Sequence, residues 1–158
     1  MPSTKHRTTD TCGDPSVAEV FYEGFSPSHT THVLESHSAF VNADAIDADW
    51  QLQRGEFLAW KTPQTGTLPF YRLQSASAND FVFVISTTGS PPVVSGFATA
   101  PAIIGYVYPT QICDSVPLFT LFLPSATDHY YTIDATERQE LISFGWTDQG
   151  IAAYVLPA

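Results

Sequence analysis

Internal repetition is the feature that most constrains how this chain folds. One pattern occurs three times: an apolar run, a polar turn, a second apolar run and a closing apolar run that ends in proline. The closing prolines, Pro63, Pro109 and Pro157, are separated by 46 and 48 residues. A fixed period of this size indicates that each copy is one supersecondary unit. We therefore expect a flexible lead-in followed by a single domain of three repeats, with these bounds: lead-in 1–15, repeat 1 16–63, repeat 2 67–109 and repeat 3 113–157.

Repeat 3 gives the clearest local plan. Residues 118–123 and 128–133 are rich in apolar, aromatic and β-branched side chains, which predicts two strands. Asp134 followed three residues later by Glu137 predicts a capping box at the start of a short helix. Gly145 is placed to end that helix in a left-handed conformation. A turn and a buried closing strand complete the unit.

The other repeats vary this plan. Repeat 1 keeps a helix, which we expect at residues 36–45. Repeat 2 has Gly89, Pro91 and Pro92 at the corresponding place, and proline is not tolerated in the interior of a helix. The helix is therefore a dispensable part of the unit, and we expect the closing strands to form the core.

Three strand-dominated repeats predict an all-β fold with short helical segments. Pseudo-three-fold closure would remove exposed sheet edges. A β-trefoil-like arrangement is the leading expectation, and a β-prism or three small blades around an axis is the alternative.

The charge balance limits the partners. The chain has 158 residues and a net charge of −10, with 16 acidic side chains against 6 Lys and Arg. Nucleic acid is an unsuitable partner because phosphate binding needs a basic face. No apolar stretch approaches the roughly 20 residues of a membrane span, so no membrane insertion is expected. Charged residues are only 14% of the chain, which favours neutral polar ligands.

The cysteines and the N-terminus bear on location. The first residues contain no apolar segment of a signal peptide, so we expect a cytoplasmic protein, with secretion of a mature form left open. Cys12 and Cys113 precede repeats 1 and 3 at similar offsets. Two interpretations remain: a disulfide between the starts of these repeats, or two reduced thiols as is usual in the cytosol.

Repeat 3 resembles a known family. It contains Asp128-His129-Tyr130-Tyr131-Thr132 and, further on, Gly145-Trp146 before an apolar closing strand. This pattern closely resembles a repeat of basidiomycete fungi and bacteria, described as of unknown function, that has an Asp-His-Phe-Tyr-Thr core and is typically present in three copies. The resemblance implies a compact repeat domain and suggests carbohydrate or cell-wall binding.

The match weakens towards the N-terminus. The Asp-His pair of the family becomes Asp80-Phe81 in repeat 2 and Thr31-His32 in repeat 1. Repeat 3 is therefore the safest place to expect a binding site.

Candidate carbohydrate-binding residues lie at the start of the second strand and before the closing strand of each repeat. A sugar site needs a planar side chain and a few fixed polar groups. The alternative is structural: the Asp and His side chains satisfy backbone groups at a turn, and the repeated aromatic rings belong to the core. The candidate residues are Asp128, His129, Tyr131, Trp146, Asp80, His32 and Trp50.

A second set of repeated aromatic residues favours the core. Counting back from the closing prolines gives Trp60, Tyr106 and Tyr154 equivalent places. Aromatic residues in register more often form a core than a binding platform.

Other motifs are weak. His29, His32 and His37 have a spacing compatible with zinc, but a third ligand is not determined, so a polar loop is preferred and no metal site is expected. The chain has no Gly-x-Ser-x-Gly elbow and no glycine-rich phosphate loop. We therefore expect a protein that is not an enzyme and needs no cofactor.

These observations favour a lectin that binds neutral glycans at shallow sites on equivalent turns of the repeats. A homodimer is one allowed assembly of this lectin. The alternative is a protease inhibitor, or another protein-binding module, that acts through an exposed loop at residues 63–67 or 86–93.

Overall fold

The fold is built mainly of antiparallel strands. The computed structural model describes residues 11–45, 48–77 and 79–158. Within these residues the elements are β1 (Glu19–Ser26), β2 (Thr31–Ser36), α1 (His37–Asp44), β3 (Gln51–Ala59), β4 (Leu68–Gln74), β5 (Phe81–Ile85), β6 (Thr99–Val107), β7 (Val116–Leu123), β8 (Asp128–Thr132), α2 (Ala135–Ser143) and β9 (Thr147–Pro157). The predicted all-β class with short helical segments is confirmed.

Each repeat has the same strand pairing. Its first two strands form an antiparallel hairpin, and its closing strand pairs with the other edge of the first strand. The strands form a six-stranded sheet in the order β2-β1-β3-β9-β7-β8 and a three-stranded sheet in the order β5-β4-β6.

The closing strands connect the repeats to one another. Leu58 lies opposite Leu156, which joins repeats 1 and 3. Single bridges join Trp60 to Tyr106 and Tyr108 to Tyr154, so that every pair of repeats is in contact.

This pairing corrects the expected equivalence of Trp60, Tyr106 and Tyr154. Ala59 and Val107 both pair with the start of the first strand of their own repeat, so Trp60 corresponds to Tyr108. The proline of repeat 1 lies two residues farther beyond its strand than the proline of repeat 2, and counting from the prolines therefore misaligned the strands. Trp60 is buried, whereas Tyr106 and Tyr154 are only partly so.

One continuous core draws side chains from all three repeats. The closing strands contribute to it as expected, together with the hairpins. Its largest fully buried apolar members include Phe21, Phe40, Phe57, Phe70, Leu34, Ile104 and Leu118.

Helix α2 ends at Gly145 as the sequence predicts, but its N-terminus lacks one of the two hydrogen bonds of the predicted capping box. The Asp134 carboxylate accepts hydrogen bonds from the backbone N–H groups of Thr136 and Glu137, as an N-cap does. Glu137 does not complete the box, because the N–H of Asp134 donates to the hydroxyl of Thr132. At the other end Gly145 has φ +102°, which closes the helix in the expected manner.

Helix α1 lies where repeat 1 was expected to carry a helix. Its Phe40 is buried against β1, where Gly24 leaves room for the ring. A Cβ atom at residue 24 would be 2.6 Å from that ring. Repeat 2 has no helix between β5 and β6, in agreement with its proline pair.

The lead-in is firmly attached from residue 11 onward, which corrects the expectation of a flexible segment up to residue 15. Cys12 and Cys113 form a disulfide. The N–H of Gly13 donates to the Tyr108 hydroxyl over 2.9 Å, and the Trp60 indole N–H donates to the Asp14 carbonyl over 2.7 Å. Residues 1–10 lie outside the described part of the chain. In the part that is described, no helix is both long and apolar enough to cross a membrane.

Candidate functional site

Buried Asp–His pairs join the repeats at the start of their second strands. The Nδ1 atom of His129 in repeat 3 lies 2.7 Å from Oδ2 of Asp80 in repeat 2. The Nδ1 atom of His32 in repeat 1 lies 2.6 Å from Oδ2 of Asp128 in repeat 3. In both pairs the second carboxylate oxygen accepts the backbone N–H of the same histidine. The Asp and His that are adjacent in sequence thus serve two different junctions.

The third junction lacks both partners. At the junction between repeats 1 and 2, the position equivalent to the Asp is Thr31 and the position equivalent to the His is Phe81. Thr31 is fully buried and its hydroxyl has no hydrogen-bond partner within the described residues. The departure from the Asp-His pattern in repeat 1 and that in repeat 2 therefore fall at a single junction.

Aromatic rings surround the histidines. The ring of His129 packs against Phe97 and Phe122, with centroid distances of 5.9 and 4.6 Å. The ring of His32 packs against Phe25 and Tyr130 at 4.9 and 5.1 Å. These contacts leave little space around His32 for a ligand.

A cleft opens between repeats 2 and 3. Its volume is about 520 Å³, and it extends from the side of β5 to β9. The corresponding hollow between repeats 1 and 2 is only about 100 Å³, because α1 places Ala39, Phe40 and Ala43 in it. Repeat 2 has no such helix, so its cleft stays open. The lining side chains are Val82, Phe83, Val84, Val94, Phe97, Thr120, Phe122, His129, Tyr131, Gln149, Ile151 and Ala152.

His129 is the single histidine among the residues that line this cleft. The Asp80 carboxylate accepts from its Nδ1–H, which fixes the orientation of the ring. The carboxylate–imidazole arrangement also occurs in catalytic sites. Here His32 and Asp128 repeat it outside the lining of this cleft, which argues that joining repeats is its primary role.

Tyr131 lies at the inner end of the cleft. Its hydroxyl accepts the backbone N–H of Phe83 over 2.9 Å, another bond between repeats 2 and 3. Burial raises the pKa of Tyr131 strongly, so the phenol is neutral at physiological pH.

The two tryptophan candidates lie away from this cleft. Trp50 is half-buried between Phe40 and Phe81, with ring centroids 5.9 and 6.2 Å away. Trp146 is half-buried beside Tyr130 at 6.0 Å. The structure therefore brings together only His129 and Tyr131 of the seven candidates in the cleft, with Asp80 behind them.

The histidine-rich segment gives no metal cluster. No group of three or more potential ligands occurs in the described ranges of the chain. His32 is engaged with Asp128 of another repeat.

Sequence reasoning missed a buried acid. Glu23 of β1 is completely inaccessible, and one of its oxygens accepts the N–H of Tyr131 over 3.4 Å. Its other oxygen has no partner among the described residues. Burial, reinforced by nearby Glu56, holds the pKa of Glu23 well above its usual range. The signal was present: Glu23 alternates with the buried Phe21 and therefore occupies an inward position of β1.

The repeats match a family model. It is described as a domain of unknown function, DUF5648, and it matches residues 20–156, which includes most of every repeat. A search of curated proteins and a search of solved structures each found no match. The extent of the family match shows that this chain belongs to the DUF5648 family of domains of unknown function.

Proposed function

We propose that the protein is a non-catalytic, carbohydrate-binding protein of lectin type, and that a neutral glycan binds in the cleft between repeats 2 and 3. The observation that carries this proposal is the open cleft itself. Among the two comparable hollows it is the one from which the helix is missing, and it combines aromatic rings with a fixed histidine.

The lining suits a sugar in chemistry as well as size. Phe97 and Phe122 provide planar apolar surfaces for the C–H face of a pyranose. His129 and Gln149 provide polar groups for its hydroxyls. Ligand sites of this kind are mostly apolar with a few placed polar groups. The described lining contains no carboxylate and no Lys or Arg, which favours a neutral ligand over an ionic one.

The proposed roles of the acidic candidates differ from those expected for shallow sites at the turns. Asp80 and Asp128 are buried, and both oxygens of each accept hydrogen bonds from a histidine. In this proposal they position the histidines and do not touch the glycan. Binding by Trp50, Trp146 and His32 stays a prediction.

We also propose that the repeats are arranged as three small blades around an approximate three-fold axis. The support is that each repeat has three strands and that the closing strands connect every pair of repeats. This is the alternative to the β-trefoil that the repeat period also allows. Homodimer formation and a cytoplasmic location stay predictions.

A glycan array with the intact protein tests the proposed function. Ile151 lines the cleft and is 47% exposed, so Ile151→Trp is expected to fill the cleft without disturbing the core. We expect binding to one class of neutral glycan and a loss of about tenfold or more in affinity for Ile151→Trp.

Ile103→Trp is the matched control. Ile103 is similarly exposed at 43% but lies on β6 outside the cleft lining. It should bind as the wild type does. Silence of the array at high protein concentration, or equal binding by both tryptophan variants, would overturn the proposal.

A further inference from the structure

The segment between β5 and β6 is anchored at its base but open at its tip. The buried Ser86 hydroxyl donates to the carbonyl of Ser90 over 2.6 Å and accepts the N–H of Gly89 over 2.9 Å. The Tyr71 hydroxyl donates to the Gly89 carbonyl over 3.2 Å. At the other end Phe97 packs against His129. The two anchored ends hold residues 91–96 between them.

Val93 is the most exposed large apolar side chain of the described residues. The residue is 98% exposed, and it follows directly after Pro91 and Pro92. The next residue, Val94, is half-buried and packs against a buried cluster of Tyr71, Leu73 and Val82. Proline fixes φ, so the stretch before Val93 has few conformations to lose on binding.

We propose that residues 90–95 bind, as a substrate-like loop, in the active-site cleft of a serine protease whose specificity pocket is small and apolar. Val93 is the residue that enters that pocket. An elastase-type pocket is small, whereas a trypsin-type pocket contains an aspartate and a chymotrypsin-type pocket takes a large ring. A valine fits the first of these.

The composition of the loop supports this class of partner. Residues 86–97 contain no Lys, Arg, Asp or Glu. A partner that recognises charge would find nothing to bind there. The other loop considered from sequence, residues 63–67, is a tight turn closed by a hydrogen bond from the N–H of Thr67 to the carbonyl of Gln64, and it presents no large apolar side chain.

Inhibition of pancreatic elastase by the full chain tests the proposal. We expect inhibition at micromolar protein or below, and its loss by about tenfold or more in Val93→Asp, because a carboxylate is costly in an apolar pocket. Val93→Lys should exchange specificity, losing inhibition of elastase and gaining inhibition of trypsin. Val41→Asp, at an exposed valine of α1 that is 55% accessible, is the matched control and should inhibit as the wild type does.

Three results would overturn the proposal. The first is full elastase activity in the presence of the protein. The second is equal inhibition by wild type and Val93→Asp. The third is rapid hydrolysis of the Val93–Val94 bond with loss of inhibition, which would make the loop an ordinary substrate. The glycan array does not depend on Val93, so failure here is distinct from failure of the proposed carbohydrate site.

Discussion

At the scale of single residues, Asp80 makes the junction between repeats 2 and 3 specific. Its carboxylate accepts the backbone N–H of Phe81, the backbone N–H of His129 and the Nδ1–H of His129. Removing a buried acceptor leaves all its donors without a partner, which costs more than the bonds themselves contribute.

The natural third junction suggests how such a loss is compensated. We expect Asp80→Thr to lower the free energy of unfolding by about 3 kcal/mol or more, because it leaves a buried histidine unpaired. Adding His129→Phe reproduces the Thr31–Phe81 combination and should restore a large part of that loss. Urea denaturation of the two single variants and the double variant measures the coupling.

Asp134→Ala is the control for removing an acid that accepts two backbone N–H groups. It is an exposed helix cap and should cost only about 1 kcal/mol. Simple additivity of Asp80→Thr and His129→Phe would contradict the pairing.

Glu23 should make stability fall as pH rises. The pKa of Glu23 is raised in the folded protein, so the folded state holds a proton that the unfolded chain releases above the ordinary value of 4.5. The corresponding stability is fully present below that pH and is lost as pH rises through the raised pKa. We expect Glu23→Gln to be more stable than wild type at neutral pH and to show a flatter pH dependence.

Denaturation midpoints measured from pH 4 to pH 8 test this expectation. Glu19→Gln is the control, since Glu19 lies on the same strand but is exposed. An unchanged pH dependence in Glu23→Gln would show that another group carries it.

The candidate residues were predictable from sequence, but their partners were not. Asp128 and His129 are adjacent, which invites the interpretation that they act together at one turn. In the structure Asp128 bonds a residue 96 positions away and His129 one 49 positions away. Local spacing cannot reveal such pairs. The combined absence of Asp in repeat 1 and His in repeat 2 was a signal that they are shared between repeats.

At the scale of elements, helix α2 shows how local chemistry sets an end point. After the helix the N–H of Gly145 donates to the carbonyl of Ile142, and the N–H of Trp146 donates to that of Leu141. This pair of hydrogen bonds requires a residue with positive φ at position 145.

Gly145→Ala should therefore be destabilising through the backbone alone. No atom lies within 4 Å of where the new Cβ would be, so crowding does not contribute. We expect a loss of about 1 to 2 kcal/mol from the left-handed conformation. Gly145→Asn should cost less, because asparagine tolerates that conformation better; thermal unfolding of both variants tests the order.

Elements with their own boundary signals were predicted well. Asp134, Gly145 and the proline pair of repeat 2 act on neighbours in sequence, so α2 and the missing helix of repeat 2 could be predicted directly, whereas α1 was predicted from its place in the repeat. The register of the closing strands could not, because bulges shift the pairing within each repeat. The cleft could not be predicted for a related reason. It results from the absence of a helix in repeat 2 next to β9, which is distant in sequence.

At the scale of the molecule, the disulfide joins the two ends of a long segment. Cys12 and Cys113 are separated by 101 residues. A cross-link of this span is expected to stabilise by about 4 to 5 kcal/mol through the entropy of the unfolded chain. Cys12→Ser with Cys113→Ser should lower the free energy of unfolding accordingly.

Denaturation with and without reductant gives the same comparison in the wild type. The reductant should have no effect on the double variant. Two titratable thiols in the unreduced native protein would contradict the bond. Disulfides persist in oxidising compartments, and this one weighs against the cytoplasmic location that the N-terminus suggested.

The direction of the Asp–His bonds has a consequence for the variation of such sequences. Repeat 3 offers a carboxylate to repeat 1 and an imidazole to repeat 2, so a substitution at one end of either bond is costly until the other end, dozens of residues away, changes too. Relatives of this chain are therefore expected to gain or lose the Asp of one copy and the His of the next as a covarying pair. Within this chain, Thr31 and Phe81 are already one such pair.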